Sequence, residues 1–246
     1  MDRLIYVAMT GAKQAEFRQS IVANNLANTA TTGFRADLAA FRAVPVLGGP
    51  GLPTRAFAIE QDTGADLSGG AFQQTGRELD AAVMGEGWFA VQSATGEAYT
   101  RNGSFVVDAT GLLKTFAGQV VEGENGPLTV PENTQPSIAA DGTVSAVDLS
   151  NPAQTVEVGR LKLVNPPAAE MEKGLDGLFR RRNGEAAQAD ANVRLAVRGV
   201  EGSNVNAVDQ LVNMISTQRH YDMQIKLLQT AEQNSRSAAS LLTLNG

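Results

Sequence analysis

The 246-residue chain contains no cysteine, one histidine and one tryptophan, and aromatic residues make up only 5% of it. Without cysteine there is no disulfide framework, no thiolate nucleophile and no cysteine-based zinc site. The lone His220 leaves a multi-histidine metal centre or a Ser-His relay almost nothing to work with. Basic residues are outnumbered, 20 against 26 acidic, for a formal net charge of -6. That balance argues against nucleic acid as a partner, because phosphate binding needs clustered Lys and Arg. No apolar run approaches the ~20 residues of a membrane span, so no membrane insertion is expected. Only six apolar residues, Leu4 to Met9, follow Met1-Asp2-Arg3, fewer than the roughly 7–15 of a cleavable secretory signal. The expectation is a cytosolic protein, or one exported without a cleaved signal. Lack of cysteine is compatible with an oxidising compartment.

Glycine and proline are plentiful but unevenly placed. All nine prolines fall between Pro45 and Pro167, and 23 of the 25 glycines between Gly33 and Gly202. Residues 203–245 contain neither. Both ends are therefore free to form long helices around a turn-rich middle. In the first end Met1, Ile5, Ala8, Ala12, Ala15, Gln19, Val22 and Leu26 recur at steps of three and four, a seam that stops at Asn28. Its three alanines would let a partner helix approach closely. Thr29 to Gly33 then favours caps and turns. In the second end the seam is Ala207, Leu211, Met214, Gln218, Tyr221, Ile225, Leu228, Glu232, Ser235, Ala239 and Leu242, with Ser203 or Asn204 as the N-cap. A helix over 204–244 would extend on the order of 60 Å, too long to bury its seam on a compact domain of this size. An intramolecular hairpin of the two ends and packing among several copies both remain open. Packing among copies is favoured, because a single pair leaves much of each stripe wet and isolated helices are marginal. The polar faces lack the basic excess of a membrane-surface helix.

From Ala36 to Gly199 short β-prone runs alternate with turns: Trp88-Phe89-Ala90-Val91, Ser104 to Val107, Gly118 to Val121, Leu128-Thr129-Val130, and Val158 to Val164. Asn102-Gly103, Asp108 to Gly111, Asp141-Gly142 and Asn183-Gly184 read as hairpin punctuation. The fold class is therefore α+β, with long terminal helices forming a coiled-coil-like assembly domain and a central, mostly antiparallel β domain. The expected division is 1–33 with 203–246 as the helical domain, 34–75 as a connector with short β elements, and 76–202 as the β domain. Gly85-Glu86-Gly87 has the loose form of a dinucleotide fingerprint, but a strand follows it where a helix is needed. Asp62 with Asp66, or Asp108 with Asp141, would be carboxylate pairs, yet each sits beside a turn glycine where Asp is favoured for local hydrogen bonding. Arg180-Arg181-Arg182 reads as a solvated or interface patch, His220 as structural, and the sequon at Asn102 as a turn.

Three blocks carry a family resemblance. Ala23-Asn24-Asn25-Leu26-Ala27-Asn28 through Gly33-Phe34 resembles the N-terminal signature of the bacterial flagellar rod and hook axial proteins. Thr75-Gly76-Arg77-Glu78-Leu79-Asp80 through Gly85-Glu86-Gly87-Trp88, continuing into Tyr99 to Phe105, resembles their central β signature. Glu201-Gly202-Ser203-Asn204-Val205, followed by Met214-Ile215 and Arg219-His220-Tyr221, resembles their C-terminal helix motif. Leu52-Pro53-Thr54-Arg55, Ala139 to Ala146 and Val158 to Val164 are similar to the proximal-rod members in particular, with the distal-rod members as the alternative. Arg77-Glu78, Asp209 and Asp222 depart from the family pattern.

The resemblance implies a non-enzymatic structural subunit of the flagellar basal body, in the proximal rod spanning the periplasm. It would be exported unfolded by the flagellar type III apparatus, would need no cofactor, and would pack with copies of itself and other rod subunits. The interface candidates are Ile5, Ala8, Ala12, Ala15, Val22 and Leu26 with the signature residues Asn24, Asn25 and Asn28. Ser203, Asn204, Leu211, Met214, Tyr221, Ile225 and Leu228 complete the set. A carbohydrate-binding β module on an oligomerising helical stalk is the reading from a different class, motivated by the turn aspartates.

Overall fold

A computed structural model describes residues 2–45, 56–151 and 153–243. Met1 and Leu52-Pro53-Thr54-Arg55 lie outside the described residues, as do the side chains of Ser235, Ala239 and Leu242. The chain is α+β, with a helix at each end and a sheet-rich centre. It divides into two compact units, one of Met1–Ala27, Asp37–Gly64 and Asn206–Gly246, the other of Asn28–Ala36 and Ala65–Val205. The segment 34–75 is thus shared between the two units.

In the first unit, helix α1 (Asp2–Ala27) packs on helix α2 (Ala207–Thr243), and Asp37–Pro45 pairs with Ala56–Ala65. The inward positions of α1 follow the sequence pattern: Ala8, Ala12, Ala15 and Val22 are buried, and Ile5, Gln19 and Leu26 half-buried. A Cβ added at Gly11 would stand 2.9 Å from the Gln224 side chain, so small residues bring the two helices close. Gly11 lies as far from the end of α1 as Gln224 from the start of α2, to within a single residue, which is the register of an antiparallel pair.

On α2 the buried register differs from the expected one. It runs Gln210, Met214, Thr217, Tyr221, Gln224, Leu228 and Ala231, a heptad ladder in which Thr217 and Ala231 are the most enclosed. Met214, Tyr221 and Leu228 belong to it, and Ile225 flanks it half-buried. Leu211, expected on the seam, is 48% exposed, and Ala207, Gln218 and Glu232 are exposed as well. The reason is steric: the alanine-glycine face of α1 accepts the polar side chain of Gln224 at Gly11, which hydropathy does not mark. The helix also begins later than expected. Its N-cap is Asn206, whose Oδ1 accepts from the N–H groups of Val208 at 2.9 Å and Asp209 at 3.4 Å.

The second unit is built on a nine-stranded sheet in which Trp88–Ser93 is central, flanked antiparallel by Gly96–Thr100 and Val120–Gly123. Ser93 opposes Gly96 across a two-residue turn. Alternate residues of Trp88–Val91 enter different cores. Phe89 and Val91 pack with Phe105, Leu113, Val121 and Leu163, while Trp88 and Ala90 pack with Tyr99, Val164, Met171 and Phe179. A strand covered on both faces needs an unbroken apolar run, which is why Trp88-Phe89-Ala90-Val91 shows no alternation. Phe89 meets Phe105 edge to face at 5.1 Å, and Trp88 stacks tilted on Phe179 at 4.5 Å.

Three further antiparallel sheets complete the unit. Thr134–Ile138, Thr143–Asp148 and Thr155–Arg160 form one, Ala81–Met84 pairs with Arg194–Val197, and Phe72–Gln74 with Gly199–Glu201. The expected strand Leu128-Thr129-Val130 forms only an isolated bridge from Thr129 to Leu112, because Pro127 and Pro131 flank it and cannot donate to a ladder. Phe89 is wholly enclosed, so Phe89→Ala is expected to cost about 3–5 kcal/mol of unfolding free energy. Urea unfolding followed by circular dichroism measures it.

Candidate functional site

The signature segments meet at a buried carboxylate. Glu201, at the end of Gly199–Glu201, points both carboxyl oxygens inward. Oε1 accepts from Nη2 of Arg35 at 2.6 Å and from the Gly70 N–H at 2.7 Å, and Oε2 from Nη1 of Arg101 at 3.0 Å. All three charged residues are at most 5% exposed. Arg101 also donates through Nη2 to the Gly85 carbonyl at 2.7 Å, and its guanidinium lies 5.2 Å from the Trp88 ring centre. Burial weakens the Arg101 cation, and Glu201 acts in the opposite direction. Nε and Nη1 of Arg35 and Nε of Arg101 have no acceptor among the described residues, and Glu201 is the carboxylate that both guanidiniums contact. Breaking such a pair from one side is far more costly than never forming it.

Backbone approach around Glu201 is as tight as the ion pairing. Its carbonyl accepts from the Gly33 N–H at 2.7 Å. Gly33 has φ +69°, and a Cβ there would lie 2.3 Å from the Arg101 carbonyl carbon, so only glycine fits. At Gly70 a Cβ would fall 2.1 Å from the Gly202 oxygen. Lys173 seals the far side: its ammonium donates to the Arg35 carbonyl at 2.7 Å and lies 4.1 Å from the Phe34 ring centre.

The signature asparagines act on backbone, which their side-chain amides mimic. Asn204 accepts from the Ala36 N–H at 2.8 Å through Oδ1, and donates through Nδ2 to the carbonyls of Asp66 and Ser68 at 2.9 and 3.1 Å. Asn25, buried on α1, treats Asp37 likewise, donating to its carbonyl at 2.9 Å and accepting from its N–H at 2.8 Å. Asn24 donates to the Asp37 carboxylate at 2.6 Å, and Asn28 accepts from the Thr31 hydroxyl at 3.0 Å. Ser203 caps the Val205 N–H at 3.2 Å rather than the helix. These five residues thus serve local architecture. Of the others singled out from sequence, Ile5, Ala8, Ala12, Ala15, Val22, Leu26, Met214, Tyr221, Ile225 and Leu228 are buried or half-buried, and Leu211 is turned out to solvent.

The candidate carboxylates are accounted for by turns. Oδ1 of Asp108 accepts from the N–H groups of Thr110 and Leu112 and its Oδ2 pairs with Lys114 at 2.6 Å; Lys114 is the main cause that holds this carboxyl well below the usual range. Asp141 accepts from the Thr143 N–H at 3.0 Å and Asp66 from the Ser68 N–H at 2.9 Å, hydrogen bonds that lower both. The side chain of Asp62 lies outside the described residues. Gly85-Glu86-Gly87 opens the strand Trp88–Ser93 and no helix. Arg180 pairs with Asp176 at 2.5 Å and Arg181 with Glu170 at 2.8 Å, while His220 is exposed on α2. Among the described residues no three histidine, aspartate or glutamate side chains gather in metal-binding geometry, and no helix is long and apolar enough to cross a membrane.

Three family descriptions match the chain: flagella basal body rod protein over residues 5–35, flagellar hook protein FlgE/F/G D1 domain over 82–146, and flagellar basal body rod FlgEFG protein C-terminal over 198–241. Each matched segment supplies one member of the buried triad, Arg35, Arg101 and Glu201 in turn. The chain is 46% identical to the flagellar basal-body rod protein FlgF of Escherichia coli K12, with all of both chains aligned. The chain belongs to the flagellar basal-body rod protein family. The FlgF of Salmonella typhimurium LT2 is 44% identical over the whole of both chains, whereas FlgG of Bacillus subtilis 168 is 30% identical over 95% of this chain and 96% of its own. This rod protein is therefore of the F type, a structural rod subunit that assembles with other rod components in the flagellar basal body.

Arg35, Arg101 and Glu201 were not legible as a group in the rod protein's sequence. Two of them stood inside motif blocks, yet the pairings bridge 166 and 100 residues and no local pattern marks them. The block Thr75 to Asp80 does have a local explanation. Asp80 is buried and accepts from the hydroxyls of Thr75 at 2.6 Å and Ser104 at 3.1 Å, Arg77 closes over the pair, and Glu78 bonds Arg198 at 2.7 Å. Glu201→Gln keeps the shape but removes the one carboxylate that both enclosed guanidiniums contact, and is expected to destabilise by about 3–5 kcal/mol. Thermal unfolding of the purified variant beside the native chain reads this out.

Proposed function

We propose that this chain is a subunit of the proximal rod, exported unfolded through the flagellar type III apparatus and built into the rod across the periplasm. Its terminal helices pack in coiled-coil fashion with those of other copies and of neighbouring rod subunits. They line a tube that encloses the export channel, and the sheet-rich unit decorates the outside. The subunit transmits torque and carries out no catalytic step.

The observation that carries this reading is a second apolar stripe on α2. One side of the helix is occupied by α1. Along another, Val208, Leu211, Val212, Ile215, Met223 and Leu227 are 48% to 66% exposed. Helix α2 has 37 residues, about 55 Å of rise, and α1 with 26 cannot cover it. Six large apolar side chains exposed along one side of a helix, broken by Arg219 between Ile215 and Met223, mark a protein-docking surface, since solvated helices keep such residues scattered. Repetition of one contact from copy to copy without closure yields a helical tube. A shallow groove lined by Val212, Ile215, Ser216, Arg219, His220 and Met223 lies on the same face.

A charge in the middle of the stripe is the direct test. Ile215→Asp is expected to leave the helical circular dichroism of the monomer unchanged while abolishing incorporation into basal bodies and motility in a strain lacking the native gene. Removal of 1–33 or of 204–246 should have the same effect on rods. Normal motility from Ile215→Asp or from either truncation would refute the assembly role.

A further inference from the structure

The solvent-facing rows of the two terminal helices are complementary to each other. On α1, Lys13, Glu16, Ser20, Ala23 and Ala27 are all exposed, each directly after a residue of the ladder that packs on α2. On α2, Val208, Val212, Ile215, Arg219 and Asp222 are exposed, each two residues before a member of the ladder that faces α1. Two residues are about 200° of helical turn, so this row lies on the back of α2, where the chain's own α1 does not reach. An antiparallel helix laid there runs down α1 while α2 runs up, and the steps of three and four then coincide at every layer. Ala27 meets Val208, Ala23 meets Val212, Ser20 meets Ile215, Glu16 meets Arg219 and Lys13 meets Asp222. Three small residues receive three β-branched ones, and two layers pair opposite charges. Displacement by one heptad in one direction sets Glu16 on Val212 and Lys13 on Ile215; in the other it sets Ala23 on Arg219 and Ser20 on Asp222. Among the described residues, none of the four charged side chains takes part in an ion pair within the chain.

We propose that the back of α2 receives α1 of a second copy of this chain, antiparallel, with Glu16 and Lys13 of one copy paired to Arg219 and Asp222 of the next. The contact rests on the assembly role proposed above and gives the exposed stripe its partner. Its register is the one that sets Gly11 against Gln224 inside the chain, so neighbouring copies stand level along the helix axis. An antiparallel α1 brings its own α2 parallel to the first, so the copies also point the same way. Each copy offers its α1 row to one neighbour and its α2 row to the other, a head-to-tail contact that can repeat indefinitely. The apolar layers supply the adhesion. The two charge layers fix alignment, because a displaced helix would strand each charge against an apolar or small residue, and like charges face to face would reject it.

The chain has no cysteine, so an introduced pair is the only thiol source it carries. In basal bodies from a strain lacking the native gene, the full chain with Ala23→Cys and Val212→Cys together should give covalent multimers of itself on mild oxidation, and either substitution by itself none. Ala27→Cys with Ile215→Cys, one heptad or about 10 Å out of register, should stay monomeric, because a disulfide needs Cβ atoms within about 4.5 Å. Glu16→Arg and Arg219→Glu should each abolish motility, and the two together should restore it. No multimers from the matched pair, multimers from the displaced pair, or no rescue by the double reversal overturns the proposal. The cross-linking decides alone if a reversed variant fails to fold. Loss of incorporation in Ile215→Asp alongside any of those outcomes leaves the assembly role standing and removes only this partner and register.

Discussion

One enclosed carboxylate organises the sheet-rich unit. Glu201 accepts from two guanidiniums and a backbone N–H while its own carbonyl takes the Gly33 amide. Enclosed ions carry a desolvation penalty of several kcal/mol each, which is offset only when geometry and hydrogen bonding are good. The surrounding constraints follow from that demand. Gly33 and Gly70 have no side chain because backbone must approach within contact distance, Lys173 and Phe34 cover the outside, and Trp88 offers its ring face to Arg101. Segments near residues 35, 101 and 201 are thereby held in one place although the chain separates them by most of a domain.

The asparagines of the first and third signatures extend the same logic to neutral groups. A side-chain amide offers a donor and an acceptor in the geometry of a peptide, so Asn25 and Asn204 satisfy backbone groups of Asp37, Ala36 and Asp66 at the start of Asp37–Pro45 and just past the end of Ala56–Ala65. Serine or aspartate supplies only part of that set. This gives the family signature a physical content that is structural.

The sequence reading succeeded where the physics is local. Turn aspartates and asparagines at Asp108, Asp141, Asn102 and Asn183 cap their own backbone two residues on, as their position beside glycine implied. The alanine seam of α1 was also legible, since period and residue size both mark it. On α2 apolar residues occupy two stripes, and hydropathy alone does not say which of them faces α1. Leu211 lies on the outward one, while the polar Thr217 and Gln224 are on the enclosed side. Leu128 to Val130 looked like a strand until its flanking prolines, which withhold ladder donors, were set against its apolar character.

By itself, then, the sequence determined the class, the helical ends, the turns and the family, because glycine and proline placement, seam periodicity and short motifs act over a few residues. Only the tertiary structure decided which charges are buried together. Arg35, Arg101 and Glu201 are ordinary surface residue types whose meaning comes from neighbours distant in the chain. Electrostatic energy depends on separation and burial in space, and neither is written in local sequence.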